Sequence, residues 1–314
     1  MNHGTASARP PAGRLAVALT TGLLLAGGLV LPCRGLARQA HAVSVEPDQP
    51  AEALVPPTSA ADFTATEIDQ VLAGSWRSPA DRARDPYRHP KATLQFFGVQ
   101  PDQTIIEITP GAGWYSEILA PLLRDNGHYI AALKAATAGD REDARDDTAL
   151  HRKFAADAAQ YGNARIVAFD PRAPVLGAPA SADMVLTFRN VHNWVAAGTA
   201  PAMFKAFFAV LRPGGVLGVV DHRAAAGASP ASTAQSGYLP TAEVVKLATD
   251  AGFTLDGSSE INANPNDGRN YPKGVWTPPP TLALGDKDRA KYLAIGESDR
   301  MTLRFVKPPP AGSR

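Results

Sequence analysis

Two histidines and three carboxylates stand where strand-like runs end or pass through. His192 follows the apolar run Met184–Phe188, and Asp221-His222 follows Val216–Val220. An imidazole titrates near neutral pH, so either ring can take a proton from a protonated nucleophile, and Asp221 can orient His222. The alternatives are a structural hydrogen bond for each histidine and a strand-end cap for Asp221. Glu107 interrupts the β-branched run Ile105–Ile108, where a carboxylate can meet a ligand carrying positive charge or free amino and hydroxyl groups, and Asp170 closes the run Arg165–Phe169. No His, Asp or Glu group has metal-ligand spacing, and no serine-centred nucleophile elbow occurs, so the sequence gives no metal site.

The stretch that must position these groups is Thr104 to Tyr115, read as a buried strand, a glycine turn and the start of a helix. Gly111 and Gly113 permit backbone angles and close ligand approach that a Cβ forbids. A phosphate-binding loop needs a lysine after its glycines, and none follows here. A dinucleotide fingerprint needs a third small residue where Ser116 stands, and an acid about 20 positions later, where Lys134 lies near the end of the next strand. Glu107 inside the strand instead favours S-adenosylmethionine as the ligand. Trp114 or Tyr115 can stack on an adenine or face a sulfonium, with a core position as the alternative. Asn193 and Trp194 can shape the pocket. Arg223 can bind an anionic substrate or lie solvated at the surface, and Asp81, Asp85, Asp267 and Asp286 read as solvated loop charges.

In these residues the chain resembles the class I S-adenosylmethionine-dependent methyltransferases, and within them predicted bacterial methyltransferases with a signal peptide and a Glu-x-x-Pro-Gly-x-Gly-Trp-Tyr motif. The resemblance spans residues 63–307 and is most specific from Thr104 to Leu255. It implies that Glu107, Gly111, Gly113 and Trp114 bind the cofactor S-adenosyl-L-methionine, with Asp170 facing the adenine amino group. It also implies that Phe188 to Trp194, including Asn190, lies beside the methyl donor, with His192, His222 and Asp221 as the catalytic candidates. Leu211-Arg212-Pro213-Gly214-Gly215 matches the family turn before the fifth strand. Thr109 replaces the usual first glycine, and Leu133-Lys134 offers no acid for the ribose; Asp140 would need a longer loop to serve.

The elements around these motifs alternate strand and helix, which predicts an α/β, Rossmann-like fold with helices on both faces. The resemblance adds seven strands, mostly parallel, with an antiparallel last strand at Met301–Val306. Thr64-Ala65-Thr66-Glu67 reads as a capping box opening a helix through Leu72, and Thr241 as the cap of another helix. The two prolines of Asp85 to Pro90 predict an extended segment, either a solvated loop or a roof of Tyr87, Arg88 and His89 over the ligand. Residues 62–307 read as a single domain, with a helical cap at 62–100, a lid-like insertion at 260–298 and a tail at 308–314.

Residues 1–42 carry Arg9 and Arg14, the apolar run Leu15 to Leu31 and a small-residue site at Ala40-His41-Ala42, the pattern of a cleaved secretory signal. Residues 43–61 read as a disordered linker. Export to the periplasm or medium follows, with a retained membrane anchor as the alternative and no stable span once the signal is removed. Without the four arginines of the segment the remainder carries 27 basic and 30 acidic residues, net charge −3, which argues against a nucleic-acid partner. The only cysteine, Cys33, lies in the segment as well, so no disulfide is expected. The function expected is methyl transfer to a small molecule. An exported, non-enzymatic binding protein on the same fold is the alternative, a nucleotide-dependent oxidoreductase a weaker third, and the oligomeric state stays open.

Overall fold

Side-chain alternation sends β1 (Thr104–Ile108) into two cores at once, Ile106 and Ile108 into one and Ile105 into the other. In the computed structural model, which describes residues 60–135, 141–229 and 235–310, this strand lies inside a seven-stranded sheet. It pairs in parallel with β2 (His128–Lys134) and β4 (Ala182–Phe188). β3 (Arg165–Phe169) lies outside β2, and β5 (Leu211–His222) outside β4, both parallel. β7 (Arg300–Val306) runs antiparallel between β5 and β6 (Thr254–Ser259). The order β3-β2-β1-β4-β5-β7-β6 is that of the Rossmann-like methyltransferase fold expected from the sequence.

Helices cover both faces. Ile68 of α1 (Ala60–Leu72), Leu94 and Phe97 of α4 (Pro90–Phe97) and Ile118 of α5 (Ser116–Leu122) pack with Ile105. Trp194 of α8 (Val191–Ala196), Phe204 and Phe207 of α9 (Ala200–Val210) and Val244 of α10 (Thr241–Asp250) pack with Ile106 on the other face. The chain leaves β1 toward β2 on one side and later enters β4 on the other. That reversal opens a crevice at the carboxyl ends of β1 and β4, where α/β sheets bind ligands.

Several boundaries differ from the expectation. α1 begins at Ala60, so Thr64 sits inside it and donates to Gln100 Oε1 at 2.8 Å rather than capping it. Thr241 is the first helical residue of α10, behind Pro240 at the cap. β5 starts at Leu211 and runs through Arg212-Pro213-Gly214-Gly215. The charge-dense segment is not extended: it forms α2 (Pro79–Arg82) and α3 (Asp85–Arg88) before α4. Each of the three helices carries proline in its first turn, where a missing N–H costs nothing and the fixed φ is already helical. α6 (Arg141–Ala156) and α7 (Ala158–Tyr161) precede β3, and α11 (Arg289–Ile295) precedes β7.

Residues 260–298 are tied to their surroundings. Asn262 Nδ2 donates to Thr93 Oγ1 (3.0 Å) and Thr302 Oγ1 (2.9 Å), and Asn264 Nδ2 donates to the carbonyls of Ile295 and Glu297. The expected signal segment and residues 43–59 of the expected linker lie outside the described residues. Among the described residues no helix is long and apolar enough to cross a membrane.

Candidate functional site

The turn after β1 is held in a conformation that most side chains avoid. Thr109, Gly111 and Gly113 have φ of 49°, 60° and 85°, and Arg189, directly after β4, has φ of 63°. Two non-glycine residues in the left-handed region at adjacent strand ends mark a strained site, and Thr109 is β-branched as well. Asn190 holds the two ends together, its Nδ2 donating to the carbonyl of Ile108 at 2.9 Å and to Thr187 Oγ1 at 3.2 Å. Gly113 serves packing, because a Cβ there would lie 2.5 Å from Leu150 Cδ1 of α6. Gly111 and Ala112 instead line a cleft of about 410 Å³ together with Glu107, Thr109, Trp114, Tyr115, Phe188 and Arg189. The Thr109 hydroxyl is buried there without a hydrogen-bond partner.

Glu107 is 2% exposed. Its Oε2 lies 2.5 Å from the Tyr129 hydroxyl and 3.1 Å from Ser116 Oγ, and those two oxygens are 2.7 Å apart. Three oxygens in a triangle make three hydrogen bonds, whereas two hydroxyls supply two protons; a proton on the carboxyl completes the set. Burial pushes this carboxyl up to about 7, against the pull of the Tyr129 and Ser116 hydrogen bonds. Ser116, which breaks the dinucleotide pattern, is therefore a partner of the strand carboxylate.

Arginines dominate the other side of the cleft. Arg88 of α3 is 2% exposed, and its Nε donates to both Glu297 oxygens at 3.1 and 3.0 Å. Arg84 Nε reaches Glu297 Oε1 at 2.8 Å, and Arg300 Nη1 reaches Glu297 Oε2 at 3.1 Å. Burial alone would raise Glu297, but Arg88, Arg300, Arg189 and Arg84 outweigh it and hold it at about 2. Burial and the Arg189 charge push Arg88 well below its usual range. Its guanidinium also stands 4.6 Å over the Trp114 ring, whose Nε1 donates to the Asp81 carbonyl at 3.0 Å. Tyr115 stacks on Phe188 with centroids 3.6 Å apart and planes 9° apart. Both aromatic residues after the turn thus line the cleft while filling the core.

His192, Asp221 and His222 come together as the sequence suggested, but none of the three is on the cleft wall. Asp221 Oδ1 is 2.9 Å from His192 Nδ1 and accepts from the His222 main-chain N–H at 2.7 Å; Oδ2 accepts from the N–H groups of Val191 at 2.7 Å and His192 at 3.4 Å. The carboxylate therefore fixes the start of α8 and orients the His192 ring, not the His222 ring expected from the sequence, because β5 turns the His222 side chain toward Ser298. His222 Nδ1 lies 2.6 Å from Ser298 Oγ, and burial, with His192, Arg189, Arg300 and Arg88 around it, pushes this imidazole well below its usual range. Sequence spacing gave no metal set, yet these three residues place ligand atoms within 4.8 Å of one another, the one such group among the described residues. The full complement of N–H donors on Asp221 and the nearby guanidinium groups fit a proton-handling cluster better than a cation site.

The remaining candidates divide. Asp170 is exposed after β3, outside the cleft lining, with Oδ1 accepting from the Arg172 N–H at 2.9 Å. Arg223, read as a solvated or substrate-binding arginine, is engaged by Glu260 and Asp299. Asp85 and Asp267 are not solvated loop charges, since Asp85 pairs with buried Arg77 and Asp267 accepts from Tyr238. Asp140 lies outside the described residues. Arg84, Arg189, Arg300 and Glu297 were not singled out by residue in the sequence, although Arg189 falls within Phe188 to Trp194, Glu297 within 260–298 and Arg84 within the proline-marked segment.

No family model matches the chain, and no curated protein matches it. Similar solved structures include a SAM dependent methyltransferase from Aquifex aeolicus, 16% identical with TM-score 0.46 over 63% of this chain and 93% of that one. An arsenic(III) S-adenosylmethionine methyltransferase from Chlamydomonas reinhardtii is 13% identical, with TM-score 0.46, over 78% of this chain and 74% of that one. Phosphoethanolamine N-methyltransferase 2 from Haemonchus contortus, in complex with S-adenosyl-L-methionine, is 15% identical with TM-score 0.49 over 78% and 57%. These are likenesses of fold, and the strand order itself carries the assignment: the chain has a class I methyltransferase fold.

Proposed function

We propose that the protein is an S-adenosylmethionine-dependent methyltransferase acting on a small molecule. The observation that carries this reading is the cleft at the reversal between β1 and β4, lined by a glycine turn, a buried strand carboxyl and the strained Thr109. The orphaned Thr109 hydroxyl and the left-handed Gly111 suit a polar ligand drawn close to the backbone. Glu107, Thr109, Gly111, Ala112 and Trp114 would hold its amino-acid and sulfonium portion. When bound, the cofactor supplies an electrophilic methyl group.

The chain's own residues align and shield the acceptor. The Tyr115–Phe188 stack gives the cleft a rigid apolar wall, and Trp114 another. An ionised Asp221 only accepts hydrogen bonds, so the proton of the His192–Asp221 bond sits on Nδ1 and leaves Nε2 as the basic end of the ring. His192, oriented by Asp221 and with neutral His222 beside it at 4.9 Å between centroids, is the group proposed to take a proton from a protonated acceptor; because its ring does not line the cleft, the transfer would run through a bridging water.

Equilibrium dialysis of the full chain with labelled S-adenosylmethionine tests the reading. Saturable uptake is expected, reduced at least tenfold by Gly111→Val; no uptake at millimolar cofactor defeats it. The N-terminal pattern further supports export, for which the expected mature N-terminus is Val43. Intact-mass measurement of protein recovered outside the cytoplasm checks this, and an unprocessed chain overturns it.

A further inference from the structure

The cleft has more cationic groups than its own carboxylates neutralise. Arg84, Arg88, Arg189 and Arg300 share Glu297 as their common acidic neighbour, and the first three are paired with it or lie on the cleft wall. Arg84 Nη2 and Arg88 Nη2 are buried without hydrogen-bond partners, although Arg88 is only 2% exposed and lines the cleft. Arg189, also on the wall, has no hydrogen bond or ion pair from its guanidinium among the described residues, and its backbone is held in the left-handed region. Lys153 adds a further positive charge to the lining, paired to Glu117 at 3.0 Å. Against these the lining contributes Asp81 and Glu107, the second of which is half protonated near neutral pH.

Buried guanidinium donors without partners are costly, and a planar fork of N–H groups matches a carboxylate or phosphate better than any neutral group. A cationic acceptor would add to the repulsion, and a neutral one would leave the positive charge unbalanced. The geometry points to an acceptor that carries a carboxylate or phosphate, seated against Arg88, Arg84 and Arg189 while its nucleophile faces the methyl donor. The identification of this anion as the acceptor's rests on the methyltransferase reading; the anion site itself does not.

Calorimetric titration of the full chain with phenyl phosphate at fixed ionic strength tests it. One saturable site is expected, retained when S-adenosylhomocysteine is present, and weakened at least tenfold in Arg189→Gln. That variant removes a charge without breaking a side-chain hydrogen bond or ion pair among the described residues, and its fold is checked by its urea midpoint; Arg88→Lys, which keeps the charge on Glu297 and loses the fork, weakens the site as well. Absence of saturable binding, or equal affinity in Arg189→Gln, overturns the proposal. A cofactor source is separated by a second arm: if Arg189→Gln weakens S-adenosylmethionine but leaves 5′-methylthioadenosine, which lacks the amino-acid portion, unchanged, the arginines hold the cofactor's carboxylate and the proposal is overturned. If the chain binds phenyl phosphate as described but takes up no S-adenosylmethionine in dialysis, the anion site stands and the methyltransferase reading fails.

Discussion

Glu107 and Glu297 are both buried carboxyls near one cleft, 2% and 4% exposed, and they behave in opposite ways. Glu107 is solvated by neutral hydroxyls, which lower its charge cost too little, and it rises to about 7. Glu297 faces four guanidinium groups, which overcome the same kind of burial and bring it to about 2. The first region stores a proton beside the glycine turn. The second stores positive charge, since one carboxylate cannot answer four arginines. Burial alone thus decides neither ionisation state; the neighbours do.

The sharpest way to break this contrast is Glu297→Gln. Removing the shared acid leaves buried Arg88 and Arg300, and half-buried Arg84, without their counter-charge, at an expected cost of about 3–5 kcal/mol in denaturant unfolding. A cost below about 1 kcal/mol would mean the cluster is screened by solvent and the contrast is wrong. The pH dependence separates the two carboxyls by sign. Glu107 is raised above its unfolded value of 4.5, so its contribution is fully present below pH 4.5 and declines as pH rises to about 7, by up to about 3 kcal/mol. Glu297 is depressed, so its contribution holds above pH 4.5 and is lost as pH falls toward 2. Glu107→Gln is expected to flatten the decline between pH 4.5 and 7 and to stabilise the protein at pH 8 by about 2 kcal/mol, read from urea midpoints at several pH values. Thr109→Gly relieves a β-branched residue at positive φ and is expected to gain about 1 kcal/mol. A loss instead would show that the orphaned hydroxyl or its methyl group supports the turn.

What was legible in the sequence was local. Ile105-Ile106-Glu107-Ile108 and the two glycines specify a strand and turn through side-chain type alone, and the parallel order follows from the alternation. Glu107 stood out as a carboxylate that a ligand with amino or hydroxyl groups could meet, and the hydroxyls it meets in the structure are those of Tyr129 and Ser116. His192 and Asp221 met because β4 and β5 are neighbours. Asp85 to Pro90 was misread because proline was taken as a helix breaker, when each proline sits in the first turn it can start. The arginine cluster was illegible for another reason: Arg88 and Glu297 are 209 positions apart, and no pattern in either neighbourhood announces the other. Asp170 stands where the sequence put it, exposed at the end of β3 and outside the cleft lining.

The same separation has a consequence for how the molecule is made. Arg84, Arg88 and Tyr87 are joined to Glu297 and Arg300 across 209 to 213 positions, and Thr93 to Asn262 across 169. Contacts of such high order carry a large loop-closure cost. A chain growing from its N-terminus presents α2 to α4 long before their acidic partner exists. The cationic wall cannot be completed before Glu297 is made, and a nascent or truncated chain that ends before it carries Arg84 and Arg88 without the carboxylate they share.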